Sequence, residues 1–196
     1  RPGDIKYRDL NGDGVIDDYD KMPIGFCDIP EITYGFGGAI EWKGFDVSIF
    51  FQGTARVSLF EEGSTIVPFS SGYKNNDGFL RGVMENRWTV DNPDPNARYP
   101  RTIRPSDALD NNNTKKSSFW VRNAAFLRLK NAEIGYTFPK RWMEKMAIQN
   151  LRLYVSGVNL LTWAPDVHLF DPDLGSGDGR KYPPTRVFNV GLNINF

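Results

Sequence analysis

Residues Val187 to Phe196 read VFNVGLNINF, and how that alternation is used decides what kind of sheet the chain builds. Phe188, Val190, Leu192, Ile194 and Phe196 are apolar, while Asn189, Gly191, Asn193 and Asn195 are small or polar. Alternate side chains of an extended strand point to opposite faces, so the pattern predicts one greasy face and one wet face. A half-buried strand of a soluble sheet alternates in the same way. The choice between water and lipid therefore falls to the rest of the chain.

Working back from that strand, the same grammar recurs. LRLYVSGVNLLTW (151–163) forms a strand with a less regular alternation, and an Asp-, Gly- and Pro-rich loop (164–185) separates it from the last one. FWVRNAAFLRLKNAEIGYTF (119–138) runs in phase through Leu127 and Leu129, then through Ala132, Ile134, Tyr136 and Phe138. The slip near Asn131 predicts a β-bulge. Pro139 stops that strand, and KRWMEKMAIQN makes a short connection with helical character. Further back, ITYGFGGAIEW and FDVSIFFQ flank Lys43-Gly44 and predict a hairpin with a two-residue turn. Phe50 is the one bulky apolar residue on its wet side. Residues 53–118 show no sustained period, with a short helix expected within Phe79 to Trp88.

The expected fold class is all-β, an antiparallel transmembrane β-barrel segment of about five strands with long extracellular loops. Long connections (1–30, 53–118, 164–185) alternate with short ones, so all long loops leave one end of the sheet, as barrel topology requires. Trp42, Phe45, Tyr136, Phe138 and Trp142 crowd the short-turn end like an interfacial girdle, with Trp163 and Phe188 toward the other. Five strands do not close a barrel, for which about eight is the practical minimum. The chain also opens at Arg1 without an initiator Met or a leader pattern, and residues 31–196 are expected to be the last strands of a larger barrel.

Composition narrows the function. Among 196 residues, 24 basic side chains balance 24 acidic ones, which leaves no basic field for nucleic acid. Mean hydropathy is −0.46. No apolar run approaches the roughly 20 residues of a membrane helix, which excludes helical spans but not strands. Cys27 and His168 are each the only residue of their type, so neither a disulfide nor a His-dependent triad has support, and no enzyme is expected.

Residues 1–30 carry the one sharp motif. Asp9, Asn11, Asp13, Gly14, Asp17 and Asp20 fall at positions one, three, five, six, nine and twelve of an EF-hand-like calcium loop, and Val15 would supply the seventh-position carbonyl. Hard Ca²⁺ takes six to eight oxygens, and alternate residues of a tight loop aim them at one centre. Ile16 is expected to tuck inward. Two departures are Asp20 in place of the bidentate Glu and a strand-like lead-in through Ile5 and Tyr7. An Asx-rich turn without metal is the plain alternative. Calcium here would brace the loop.

PGDIKYRDLNGDGVID, TYGFGGAIEWKGFDVSIFFQG, RWT…NP…ARYPR, SSFWVRNAAFLRLKNAEIGYTFP, LRLYVSGVNLLTW and YPPTR…NVGLNINF together resemble the closing segment of SusC/RagA-family TonB-dependent transporters. The resemblance spans nearly the whole chain in motif order. It implies a plugged barrel of about 22 strands in the cell outer membrane. It also implies uptake of a glycan or peptide substrate, a SusD-like surface lipoprotein as lid, and a TonB complex engaged through an amino-terminal part that this sequence does not contain. Asp46, Ser48, Gln52, Arg128, Asn189, Asn193 and Asn195 would then line the lumen. Arg56, Trp88, Trp120 and Tyr182, in or near outer loops, would be candidates to touch lid or ligand, against the plainer reading that they pack the loops. A secreted calcium-dependent glycan-binding β module is the alternative function.

Overall fold

The computed structural model describes residues 1–64, 66–67, 80–102, 112–143, 147–177 and 179–196. Five antiparallel strands form one sheet: β1 (Ile32–Trp42), β2 (Phe45–Ala55), β5 (Phe126–Thr137), β6 (Asn150–Trp163) and β7 (Val187–Asn195), in that spatial order. Two three-residue strands, β3 (Ser58–Phe60) and β4 (Val121–Asn123), pair separately. Among the described residues no helix is long and apolar enough to cross a membrane.

Turn chemistry sets the first hairpin. Lys43 and Gly44 both take positive φ, 49° and 88°, the two-residue geometry whose twist suits antiparallel strands. The register that follows places side chains in rows. Trp42, Phe45, Tyr136, Leu153 and Leu192 stand abreast, as do Ile40, Val47, Ile134, Val155 and Val190. Further along lie Phe36, Phe51, Leu129 and Leu161. The opposite face carries Asp46 beside Gly135 and Tyr154, then Ser48, Glu133, Ser156 and Asn189. All seven residues expected on the wet side share this face.

The expected bulge forms one residue from Asn131. Phe50 pairs with Asn131 and Phe51 with Leu129, so Lys130 is the extra residue. On the other side Leu129 pairs with Leu161 and Asn131 with Val158, leaving Asn159 and Leu160 unpaired. Asn159 absorbs the bend at φ 54°. Phe50 also finds its reason: a Cβ at Gly35 or Gly37 would meet its ring at 2.9 and 3.1 Å. The bulky side chain on the polar face fills space that the two glycines leave open.

Other expectations are revised. The strand foreseen over 119–138 breaks, because the Asn123 side chain accepts a hydrogen bond from the Ala125 N–H (3.0 Å) and turns the chain between β4 and β5. The segment 53–118 is not featureless: β2 continues to Ala55, β3 follows, and the helix α1 spans Arg81–Glu85. Phe79, where that helix was expected to begin, lies outside the described residues. The helix α2 covers Lys140–Met143, and 144–146 lie outside the described residues. Phe188 stands beside Gly157, mid-sheet rather than at the far end.

The buried core is not under the sheet. Val57, Leu59, Ile66, Val67, Val83, Tyr99, Trp120, Ala124 and Val167 form two clusters within the long connections. Both faces of β1 are exposed along its whole length. Ile40, Trp42, Phe188 and Val190 are 74%, 65%, 72% and 75% exposed on the apolar face. The rows of large apolar side chains therefore lie uncovered.

Candidate functional site

The two ends of the sheet differ chemically. At the short-connection end rings run in a chain: Phe45 to Tyr136 (4.6 Å between centroids), Tyr136 to Phe138 (5.1 Å) and Phe138 to Trp142 (6.2 Å). Trp42 carries the Lys43 ammonium over its face at 4.7 Å. On the polar face of this end Arg152 bridges Asp46 and Glu133, with its Nε 3.0 Å from Asp46 Oδ1 and its guanidinium 2.6 Å from Glu133. One cation thereby holds two carboxylates from neighbouring strands.

At the long-connection end a second arginine ties a loop to the polar face. Arg128, only 2% exposed, donates Nε to Thr162 (2.9 Å), one terminal nitrogen to both oxygens of Asp171 (2.6 and 2.7 Å) and the other to Asp173 (2.7 Å). Asp171 also caps the short turn Pro172–Leu174 by accepting from the Asp173 N–H. Loop 164–174 is thus folded inward over β5 and β6. Beneath it opens a cleft of about 380 Å³, bordered by Arg128, Val167, His168, Phe170, Pro184 and Arg186.

The loops above are knitted by charge as well as by apolar packing. Glu61 is fully buried; its Oε2 accepts from Arg122 Nε at 2.8 Å and from the Tyr99 hydroxyl at 3.5 Å, and Arg98 lies 3.6 Å from its Oε1. Burial first, and then the Glu61 carboxylate, push the Tyr99 phenol above its usual range. Arg101 and Asn113 both donate to Asp4 (3.0 and 2.8 Å), which fixes the segment ahead of the acidic turn. These networks escaped sequence reading, because their members are 37 to 109 residues apart in aperiodic segments.

The six metal-ligand candidates occupy one exposed turn. Asp9 accepts from the Gly12 and Gly14 N–H groups (2.6 and 2.8 Å), Asn11 from Asp13, and Asp13 from Val15. Asp17 accepts from Tyr19, and Asp20 reaches back to the Leu10 and Asp17 N–H groups at 2.7 and 2.9 Å. Those two backbone bonds hold the Asp20 carboxyl below its usual range, Leu10 foremost. The donor chemistry, all oxygen with a glycine at φ 82° in position six, suits calcium. Among the described residues, however, no three acidic, His or Cys side chains are gathered as a metal-binding group. The carboxylates are turned to backbone N–H groups instead. Ile16 is 45% exposed and does not tuck inward to anchor the turn.

The four loop candidates separate. Trp120 is 3% exposed and gives its indole N–H to the Asn113 carbonyl (3.0 Å), so it packs the loop core and meets no outside ligand. Trp88 lies against Gly3, where a Cβ would strike its ring. Arg56 pairs with Glu31 at 2.6 Å and stacks on Phe26. Tyr182 is 86% exposed. Cys27 is exposed, as a lone thiol.

No protein-family model matches the chain. It is similar to TonB-dependent receptor P26 of Formosa agariphila, 30% identical over 208 residues, covering 99% of this chain and 20% of that protein. It is likewise similar to TonB-dependent receptor P3 of the same organism, 31% identical over 208 residues, with 100% and 19% covered. TonB-dependent receptor SusC of Bacteroides thetaiotaomicron is 26% identical over 205 residues, with 100% and 18% covered. The chain spans about a fifth of the length of these relatives. In fold it matches the RagAB peptide importer in its closed-closed state with a TM-score of 0.67 at 22% identity, over 93% of this chain and 19% of that one. The RagAB peptide transporter gives 0.64 at 23% identity, with the same coverage.

Proposed function

Since the homologues of this chain are TonB-dependent receptors, SusC among them, we propose that it forms part of the wall of an outer-membrane transport barrel. The apolar rows meet lipid and the polar face lines the lumen. The long connections lie on the extracellular side. The observation that carries this reading is the continuous apolar face left uncovered across five strands, while the buried core sits among the connections. In water such a face invites aggregation; in a bilayer it meets lipid, and closure with further strands removes both edges.

The transported cargo is an oligosaccharide or a peptide, taken up together with a SusD-like lipoprotein over the loops. Energy comes from a TonB complex acting on another part of the polypeptide. The chain's own residues perform no catalysis; they supply wall, lumen lining and loop surface. The acidic turn holds a structural calcium ion through Asp9, Asn11, Asp13, Asp17, Asp20 and the Val15 carbonyl. Five carboxylates within twelve residues outnumber the cations set against them, Lys21, which pairs with Asp18, and Lys115, which also acts on Asp18, so a divalent cation stabilises the turn. Nothing observed favours a secreted glycan-binding module.

The test is electrophoresis of the outer-membrane fraction with and without boiling, detected with an antibody to residues 164–185. A heat-shifted band far heavier than 22.3 kDa supports the barrel, whereas a water-soluble band at 22.3 kDa rejects it.

A further inference from the structure

The cleft under loop 164–174, which Asp171 borders together with Arg128, holds one cation that has no partner of its own among the described residues. The described carboxylates of loop 164–185 are already engaged: Asp171 and Asp173 by Arg128, and Asp166 by the Asn123 N–H (2.9 Å) and Arg98 (3.5 Å). Lys181 is turned to the Leu174 carbonyl. The Arg186 guanidinium, which borders the cleft, makes no ion pair or hydrogen bond with the described residues. Pro183 and Pro184 precede it by two to three residues and restrict the backbone that presents it. The volume of about 380 Å³ lies within the range of small-ligand clefts. The site stands at the long-connection end of the polar face, since Arg128 and Thr162 pair across β5 and β6 there.

We propose that this cleft is a subsite for a carboxylate on the transported molecule, with Arg186 as the contacting cation. The guanidinium fork matches the two oxygens of a carboxylate. Arg128 is saturated by its own aspartates and serves as the positioning residue that keeps the loop folded over the cleft. The apolar borders Val167, Phe170 and Pro184 receive the part of the ligand next to the charge. A carboxy-terminal peptide carboxylate and a uronide carboxylate share this chemistry. The inference rests on the transport reading, because only then does the polar face lie on the cargo's path.

The experiment measures calorimetric binding to the full-length transporter of two matched pairs: a short peptide as free acid and as amide, and a uronide oligomer as acid and as methyl ester. The expected result is that the acid of one pair binds about tenfold or more tightly than its neutral counterpart, and that pair identifies the source. Arg186→Gln should bring acid and neutral forms within about twofold, and Arg186→Lys should keep part of the preference. Absence of preference in both pairs, or a preference that Arg186→Gln leaves intact, overturns the proposal. The heat-shifted band is recorded for the same samples. If it is present without acid preference, only the carboxylate subsite falls; if it is absent from the wild type, the transport reading falls with it.

Discussion

Replacing Arg128 by methionine removes the charge and keeps much of the apolar stem over Phe126, against which the guanidinium now rests at 4.9 Å. Three anchors are lost. The Thr162 bond is charge-assisted and partly buried, the two-oxygen contact with Asp171 joins side chains 3% and 19% exposed, and Asp173 is 42% exposed. The Asp173 arm is screened and contributes about 0–1 kcal/mol. Breaking the buried Asp171 arm costs about 3 kcal/mol, the lower end of the range for a broken buried pair, because Asp171 retains some access to water. The sheet keeps its own ladder, so the loss falls on the opening of loop 164–174. At about 1.4 kcal/mol per factor of ten, 3 kcal/mol raises the open population about a hundredfold. Hydrogen exchange of the amides in 166–174 should therefore accelerate by about two orders of magnitude, while amides in β1 and β2 stay unchanged. Protection of the loop within about twofold of wild type would refute the assignment of Arg128 as its tie.

Trp120→Phe keeps an aromatic ring in the loop core but shrinks it and leaves the Asn113 carbonyl without its donor, so thermal or denaturant unfolding should show a loss of at least about 1–2 kcal/mol. Phe50→Ala uncovers Gly35 and Gly37 on the polar face and should lower resistance to unfolding by about 1 kcal/mol, read from the temperature at which the heat-shifted band converts. Burial alone would raise the Asp4 carboxyl, but hydrogen bonds from Arg101, the Arg1 ammonium and Asn113 outweigh it and hold it below its ordinary 3.8. A depressed carboxylate contributes stability above its unfolded value and loses it as pH falls through the folded one. Protection of the Ile5 amide, bound to Asn113 at 2.9 Å, should hold through neutral pH and fall, relative to the intrinsic exchange rate, only below the ordinary carboxylate range. Calcium should slow exchange of the Gly12, Gly14 and Leu10 amides, and Asp9→Ala should abolish that response; equal exchange with and without calcium would mean the turn holds no metal.

How far the sequence reached depends on the range of the interactions. The hairpin at Lys43-Gly44 and the alternation of β7 were legible, because period-two patterning and turn residues are local. The bulge was legible as a phase slip, placed at Asn131 rather than Lys130. The slip is visible only once the next apolar residue arrives. Asn123 misled, since the β-prone FWV ahead of it conceals a side-chain turn that depends on one hydrogen bond. Ile16 misled differently: spacing specifies where an anchor residue sits but not whether it tucks inward. Glu61 with Arg98 and Arg122, and Arg128 with Asp171, could not be read at all. Each pairing joins residues far apart in sequence, 43 positions for Arg128 and Asp171 and 61 for Glu61 and Arg122, and balanced composition offers many equivalent partners.

Whether the sheet sits in a bilayer turns on the apolar rows facing lipid. It is tested most directly by single cysteines introduced in turn at Phe188, Asn189, Val190, Gly191, Leu192 and Asn193 of the full-length protein in outer membranes, with Cys27 replaced by serine. Spin labels at each position report contact with dissolved oxygen, which concentrates in lipid, and with a water-soluble nickel complex. The account predicts a period of two, with 188, 190 and 192 favouring oxygen and 189, 191 and 193 favouring nickel. Equal nickel access at all six positions, or the opposite phase, would contradict it.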